Sequence, residues 1–186
     1  MSGHGDLSPS PWVVRFAPLI LDGGRVLDLA CGRGRHARHL ADRGLHVIAA
    51  DRDEAALEVV SEVPGVVTCH LDLEDGSPWP WEAEAFDAIV VANYLYRPAF
   101  QAMLDCLKPG GVLIYETFMV GNEAFGRPRS PEFLLEAGEL LLRLRDEFCP
   151  VAFEQGIVGD PPCAVVQRVC AVKDTQPYRL PESMPA

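Results

Sequence analysis

From residue 25 to residue 116 the chain repeats one unit. A short apolar run stops at a polar residue, and a stretch with helical spacing follows. The apolar runs are 25–30, 45–50, Val66–His70, Phe86–Ala92 and 112–116. Runs without polar alternation belong to strands covered on both faces. Strands separated by helices pair parallel through right-handed crossovers. The reading is therefore α/β: a Rossmann-like doubly wound sheet, mostly parallel, with helices on both faces. The spacing predicts helices over 11–21, 34–43, 54–61 (capped by Asp53), 98–107 and the Leu-rich 131–145, with a tight turn at Lys108-Pro-Gly-Gly111. Two further runs, 149–158 and 164–173, are separated by a Gly-Asp-Pro-Pro turn. No helix fits between them, so they should pair antiparallel.

In such sheets ligands bind outside the carboxyl ends of the strands, where strand order reverses. Four consecutive units carry a polar residue at or near that end: Asp28, Asp51, Asp72 and Asn93. A lone Asp there is ordinary turn chemistry; the series is harder to dismiss. After Asp28 comes Ala30-Cys31-Gly32-Arg33-Gly34, and Gly32 to Ala37 reads G-x-G-x-x-A, a loop whose glycines let a ligand approach a helix N-terminus. A nicotinamide-dinucleotide site fits that loop too, and Asp51 suits ribose hydroxyls in either case. Asp28 favours a cationic ligand over a pyrophosphate, whereas Arg33 and Arg35 weigh the other way.

Sixteen Lys+Arg against 27 Asp+Glu give a net charge of −11, which argues against nucleic acid as a partner. No apolar run has the length of a membrane span. No basic-then-apolar leader opens the chain and the six cysteines lack C-x-x-C spacing, so reduced thiols in the cytoplasm are expected. Residues 1–10 read as a flexible tail, 11–173 as one domain and 174–186 as a loose Pro-rich end. His36 and His39 have helical metal-pair spacing but no evident third ligand, so no metal is expected. Tyr94, Tyr96, Arg97 and Glu116 follow or end strands and are candidates for the substrate side; a packed cap and a capped turn are the bland readings. Residues 118–132 have the length of a lid and carry Asn122, Arg127 and Arg129; solvated arginines are the simpler reading there. Trp12 is read as packing, with the substrate pocket as its other placement.

The blocks VLDLACGRGRHARHLADRG (26–44), VIAAD (47–51), LDLED (71–75), FDAIVVANYLY (86–96) and KPGGVLIYET (108–117) together resemble class I S-adenosylmethionine-dependent methyltransferases. NYLYRP, ETFMVGNEAFGRP and FLLEAGELL look most like the small bacterial members grouped with tellurite-resistance-type enzymes. The resemblance implies a seven-stranded sheet with an antiparallel last strand and S-adenosyl-L-methionine as cofactor, leaving S-adenosyl-L-homocysteine as product. It implies that Asp28, Ala30, Cys31, Gly32 and Gly34 hold the methionine part. Asp51 would bind the ribose with Arg52 beside the adenine, Asp72 and the Leu73 backbone would bind the adenine, and Asn93 would lie near the sulfonium. Ala30 stands where that family often has Gly. The expected activity is methyl transfer to a small-molecule acceptor such as a thiol or chalcogen anion, with no nucleic acid or membrane partner. An NAD(P)-dependent oxidoreductase and a non-catalytic binding protein of the same fold are the alternatives.

Overall fold

The computed structural model describes residues 8–176. Seven strands form one sheet: β1 (Arg25–Leu29), β2 (His46–Asp51), β3 (Val66–His70), β4 (Phe86–Ala92), β5 (Leu107–Phe118), β6 (Cys149–Val158) and β7 (Ala164–Val172). Their order is β3-β2-β1-β4-β5-β7-β6. The first five pair parallel, and β7 joins β5 and β6 antiparallel. Strand order reverses between β1 and β4, which opens a crevice at their carboxyl ends.

The helices are α1 (Pro11–Phe16), α2 (Arg35–Asp42), α3 (Glu54–Ser61), α4 (Phe100–Asp105) and α5 (Glu139–Leu144). Because side chains alternate along a strand, each apolar run feeds two cores. Leu27, Leu29, Ile89, Val91, Leu113 and Tyr115 pack against Phe100, Met103 and Leu104 of α4 and Leu140 and Leu144 of α5. Val26, Val90, Val112 and Ile114 face Trp12 and Phe16 of α1, Ala37 and Leu40 of α2, and Leu57 and Val60 of α3. Asp28 lies on this second face, in register with Ala49 and Val90.

The helices are shorter than their apolar spacing suggests, for reasons local to the chain. α1 ends at Phe16 and continues as a 3-10 turn, Ala17–Leu19, because Pro18 cannot donate into a longer helix. Arg97–Ala99 likewise forms a 3-10 turn around Pro98 before α4 begins. The stretch 131–145 is not one helix. Pro131–Phe133 is a 3-10 turn, Leu134 is extended (φ −118°, ψ 126°), and the Leu135 amide donates to the Phe118 carbonyl. Gly138, at φ +70°, then starts α5. Pairing with β5 outweighs helix propensity here. Lys108-Pro-Gly-Gly111 is not a free turn. It lies within β5 as an irregularity between Phe86 and Ala88 of β4, where β7 supplies further partners through Lys173.

Ser10, read as part of a tail, is buried. Its hydroxyl accepts from the Trp12 amide as the cap of α1, and its own amide donates to His36 Nε2. Burial, with Arg35 and His39 adding to it, lowers the His36 imidazole to about 3, so it stays a neutral acceptor. Trp12 is packing: it is 2% exposed, donates to the Val169 carbonyl and lies under the Arg168 guanidinium. The rest of the two expected tails, 1–7 and 177–186, lies outside the described residues. All six cysteines are free, and no described helix is long and apolar enough to cross a membrane.

Candidate cofactor site

The loop after β1 is built by three left-handed residues, Ala30 (φ +56°), Gly32 (φ +53°) and Gly34 (φ +73°). Gly34 is also required by packing, since a Cβ there would lie 2.6 Å from Val60 Cγ2. A Cβ at Gly32 would meet nothing within 4 Å, so the loop presents bare backbone to open space. The loop is fastened to β2 at two points. The Cys31 amide donates to the Ala50 carbonyl (3.0 Å), and the Gly32 amide donates to Asp51 Oδ2 (2.7 Å). Asp51 Oδ1 accepts from the Asp53 amide at 3.0 Å. Asp51 is thus a loop anchor as well as a strand-end carboxylate, which its sequence position did not reveal.

Ala30 is the one non-glycine in that left-handed series, and a Cβ in that conformation is strained by about 1 kcal/mol. Ala30→Gly relieves the strain but frees the unfolded chain, so a net gain of a few tenths to about 1 kcal/mol is expected in urea melts. A loss above about 1 kcal/mol would show that the Ala30 methyl makes a contact worth more than the strain.

Asp28 sits beneath this loop, 1% exposed. Its Oδ2 is buried with no hydrogen-bond partner among the described residues. Burial pushes its carboxyl up to about 7, against the opposing pull of the Ala37 amide and Arg35, while Asp51 adds to the rise. An orphaned buried carboxylate oxygen costs about 1–3 kcal/mol or more and calls for a cationic or N–H-bearing ligand. Cys31 is no nucleophile: burial first, then Asp28 and Asp51, raise its thiol far above neutrality.

The cleft at the strand ends has a volume of about 170 Å³. It is walled by Leu29 and Ala30 from β1 and its loop, Ala50, Asp51 and Arg52 from β2, and Leu71, Asp72, Leu73 and Glu74 after β3, with Tyr94 closing it after β4. Five of the expected residues therefore meet in one hollow: Ala30, Asp51, Arg52, Asp72 and Leu73. Asp28, Cys31, Gly32 and Gly34 form the adjoining loop and its floor. Asn93 does not line the cleft. It is exposed in a left-handed conformation, and its amide donates to the Glu116 carbonyl.

The substrate-side candidates divide. Tyr94 lines the cleft. Its hydroxyl donates to Glu74 Oε1 at 3.4 Å, its carbonyl accepts from Tyr115 Oη at 2.7 Å, and burial with Glu74 keeps its phenol protonated. Tyr96 lines a neighbouring hollow. Arg97 is a fastener. Its guanidinium donates to both carboxylate oxygens of Glu139 (2.8 Å each) and to the Glu132 and Leu134 carbonyls (2.8 Å each). Glu116 is half-buried, in register with Ala92 and Arg168, and does not line the cleft. Asn122 is buried and holds the 118–132 segment, accepting from the Val165 amide and donating to the Pro128 carbonyl. Arg127 and Arg129 are exposed. Glu74, Tyr115 and Glu139 escaped the sequence reading. Glu74 stands in LDLED but past the strand-end position, and Tyr115 and Glu139 act through tertiary contacts that no local pattern signals. Among the described residues no group of three His, Cys, Asp or Glu is placed to hold a metal ion.

A family described as a methyltransferase domain matches residues 26–111, the segment that builds β1 to β4 and the cleft. The tRNA U34 carboxymethyltransferase of Methylococcus capsulatus is 35% identical over 130 residues, 63% of this chain and 38% of that protein. The chain thus spans well under two thirds of that relative. Among solved structures, TehB from Haemophilus influenzae superposes with a TM-score of 0.69 at 21% identity, covering 94% of this chain and 63% of that one. An S-adenosylmethionine dependent methyltransferase from Mesorhizobium loti superposes with a TM-score of 0.66 at 19% identity, covering 88% and 98%. At those identities the superpositions show the shared fold. The match to a methyltransferase domain is confined to residues 26–111, which hold the glycine loop and most of the strand-end cleft.

Proposed function

We propose that the protein transfers a methyl group from S-adenosyl-L-methionine to a small-molecule acceptor. The observation that carries the reading is Asp28, a buried carboxylate with one orphaned oxygen beneath a glycine loop of bare backbone. That chemistry suits the α-ammonium of a methionine moiety and opposes a pyrophosphate, which disfavours the nicotinamide alternative. The bound cofactor supplies an activated methyl on a sulfonium, so the protein's part is placement. Asp28 and the 30–34 loop would hold the amino-acid end. The remaining lone pairs of Asp51 would accept from the ribose hydroxyls, and Asp72 and Leu73 would meet the base beside Arg52. Tyr94 and the Asn93 turn would border the reacting end. Holding nucleophile and methyl about 3–3.5 Å apart in line is worth roughly 7–11 kcal/mol of barrier.

A net charge of −11 argues against a polyanionic acceptor such as the tRNA named for the Methylococcus relative. All the described strands belong to one sheet.

Calorimetry with S-adenosylmethionine, S-adenosylhomocysteine and NAD tests the reading; a preference for NAD overturns it. Asp51→Ala should weaken S-adenosylmethionine about tenfold or more, as expected for losing a hydrogen bond to a charged group. Unchanged affinity would remove the ribose assignment.

A further inference from the structure

Beside the cofactor cleft lies a second hollow of about 270 Å³, lined by Leu95, Tyr96, Pro98 and Phe133 with the carboxylates Glu74 and Glu132 and the guanidinium of Arg97. Glu74 lines both hollows. A narrow void between them is shared by Leu73 and Tyr94 on the cofactor side and Tyr96 on the other. Because Glu74 walls both hollows, what binds in the second lies next to the cofactor cleft.

The charges in this hollow are not equivalent. Arg97 has its donors committed to Glu139 and to the Pro131, Glu132 and Leu134 carbonyls, leaving none for an incoming anion. Glu132 is exposed and uses only its carbonyl in that network. Glu74 accepts one long bond from Tyr94 and keeps its second oxygen. The arginines of the 118–132 segment do not line the hollow. Carboxylate oxygens are on offer, flanked by two aromatic rings; Phe133 is 42% exposed, a large apolar surface at the rim.

Resting on the methyltransferase reading, we propose that this hollow is the acceptor site and that it takes an aromatic amine-bearing molecule, with the ring against Tyr96, Pro98 and Phe133 and the nitrogen between Glu74 and Glu132. Carboxylates attract such a nitrogen and repel thiolates, carboxylates and chalcogen oxyanions, which turns the acceptor away from the anions suggested by the sequence resemblance. The amine sheds one proton to solvent by way of a Glu74 oxygen. The nitrogen lone pair then forms the N–C bond as the C–S bond breaks, the bonding pair stays on sulfur, and the product is a methylammonium.

The test uses the full chain with labelled S-adenosylmethionine and a matched set of acceptors: tryptamine, benzylamine, phenol, thiophenol, benzoate and tellurite. Affinity for S-adenosylhomocysteine and, with it bound, for tryptamine is measured separately by calorimetry. The expected result is transfer to the amines, with Phe133→Ala and Glu132→Gln each raising the amine Kd and KM at least fivefold while S-adenosylhomocysteine binds as in the parent. Cofactor binding without transfer to either amine, or with preference for an anion or phenol, overturns the acceptor proposal and leaves the methyltransferase reading standing. Unaltered amine Kd in both variants overturns the placement. No cofactor binding at all overturns both readings.

Discussion

Asp28→Asn is expected to make the protein more stable and its cofactor site poorer. Burial lifts the Asp28 carboxyl from 3.8 to about 7, so its ionised form is disfavoured in the folded state. A folded value above the unfolded one leaves stability unaffected below pH 4. It subtracts stability as pH rises towards 7, and the penalty is constant above that. The shift corresponds to about 4 kcal/mol at most. An amide remains a buried polar group, so a gain of about 2 kcal/mol at pH 8 is the expectation. In a chain of this size that raises Tm by roughly 4–8 °C, and the gain should vanish at pH 4. Affinity for S-adenosylmethionine should fall by about 10- to 150-fold at pH 8, the range for losing a hydrogen bond between charged groups. In the parent it should strengthen as pH rises through about 7; the variant should lack that dependence. Thermal melts at pH 4 and 8 with calorimetry across pH 5.5–8.5 measure all of this. An unstabilised variant that binds normally would refute the role given to Asp28.

The second large effect is expected at Arg97. Glu139 is nearly enclosed, its side chain 12% exposed, and Arg97 meets it with two bonds. Burial alone would raise the Glu139 carboxyl, but the bonds from Arg97, the Glu136 amide and Arg143 together hold it at about 2. A depressed carboxylate contributes stability that is complete above about pH 4.5 and lost as pH falls towards 2. Arg97→Met removes one partner of this pair and the donors to the Glu132 and Leu134 carbonyls. Breaking a buried pair from one side costs about 3–5 kcal/mol, and the surviving bond from Arg143 puts the expectation at the low end, about 3 kcal/mol. Tm should drop by roughly 6–12 °C at pH 7. Adding Glu139→Gln should recover part of the loss, because no uncompensated charge then remains. A drop under 2 °C would mean that Arg143 alone suffices.

The fold was legible because its signals are local. Apolar runs such as Phe86–Ala92 have no other place than a two-sided sheet, and the short turn before 164 leaves no room for a crossover. The candidate site was legible where polar residues end the strands, so Asp51 and Asp72 could be placed in a common cleft from their positions alone. What escaped was decided by distant groups. The stretch 131–145 has helical spacing, but Phe118 and Met119 of the β5 end recruit Leu135 into pairing. Arg97 has the position of a substrate residue, and only the approach of Glu139 and the 131–134 carbonyls turns it into a fastener. Ser10 looks like tail sequence until the His36 ring, 26 residues later, accepts its amide.

The anchoring of α1 has a consequence for biosynthesis. Trp12 donates to the Val169 carbonyl, 157 residues further on. Because synthesis runs from α1 towards β7, α1 completes its seat only after β7 has left the ribosome. Until then the nascent chain carries the unshielded apolar face of Trp12, Val13 and Phe16, a target for chaperones. Docking of α1 is thus held back until β7 is in place, however early the central strands form.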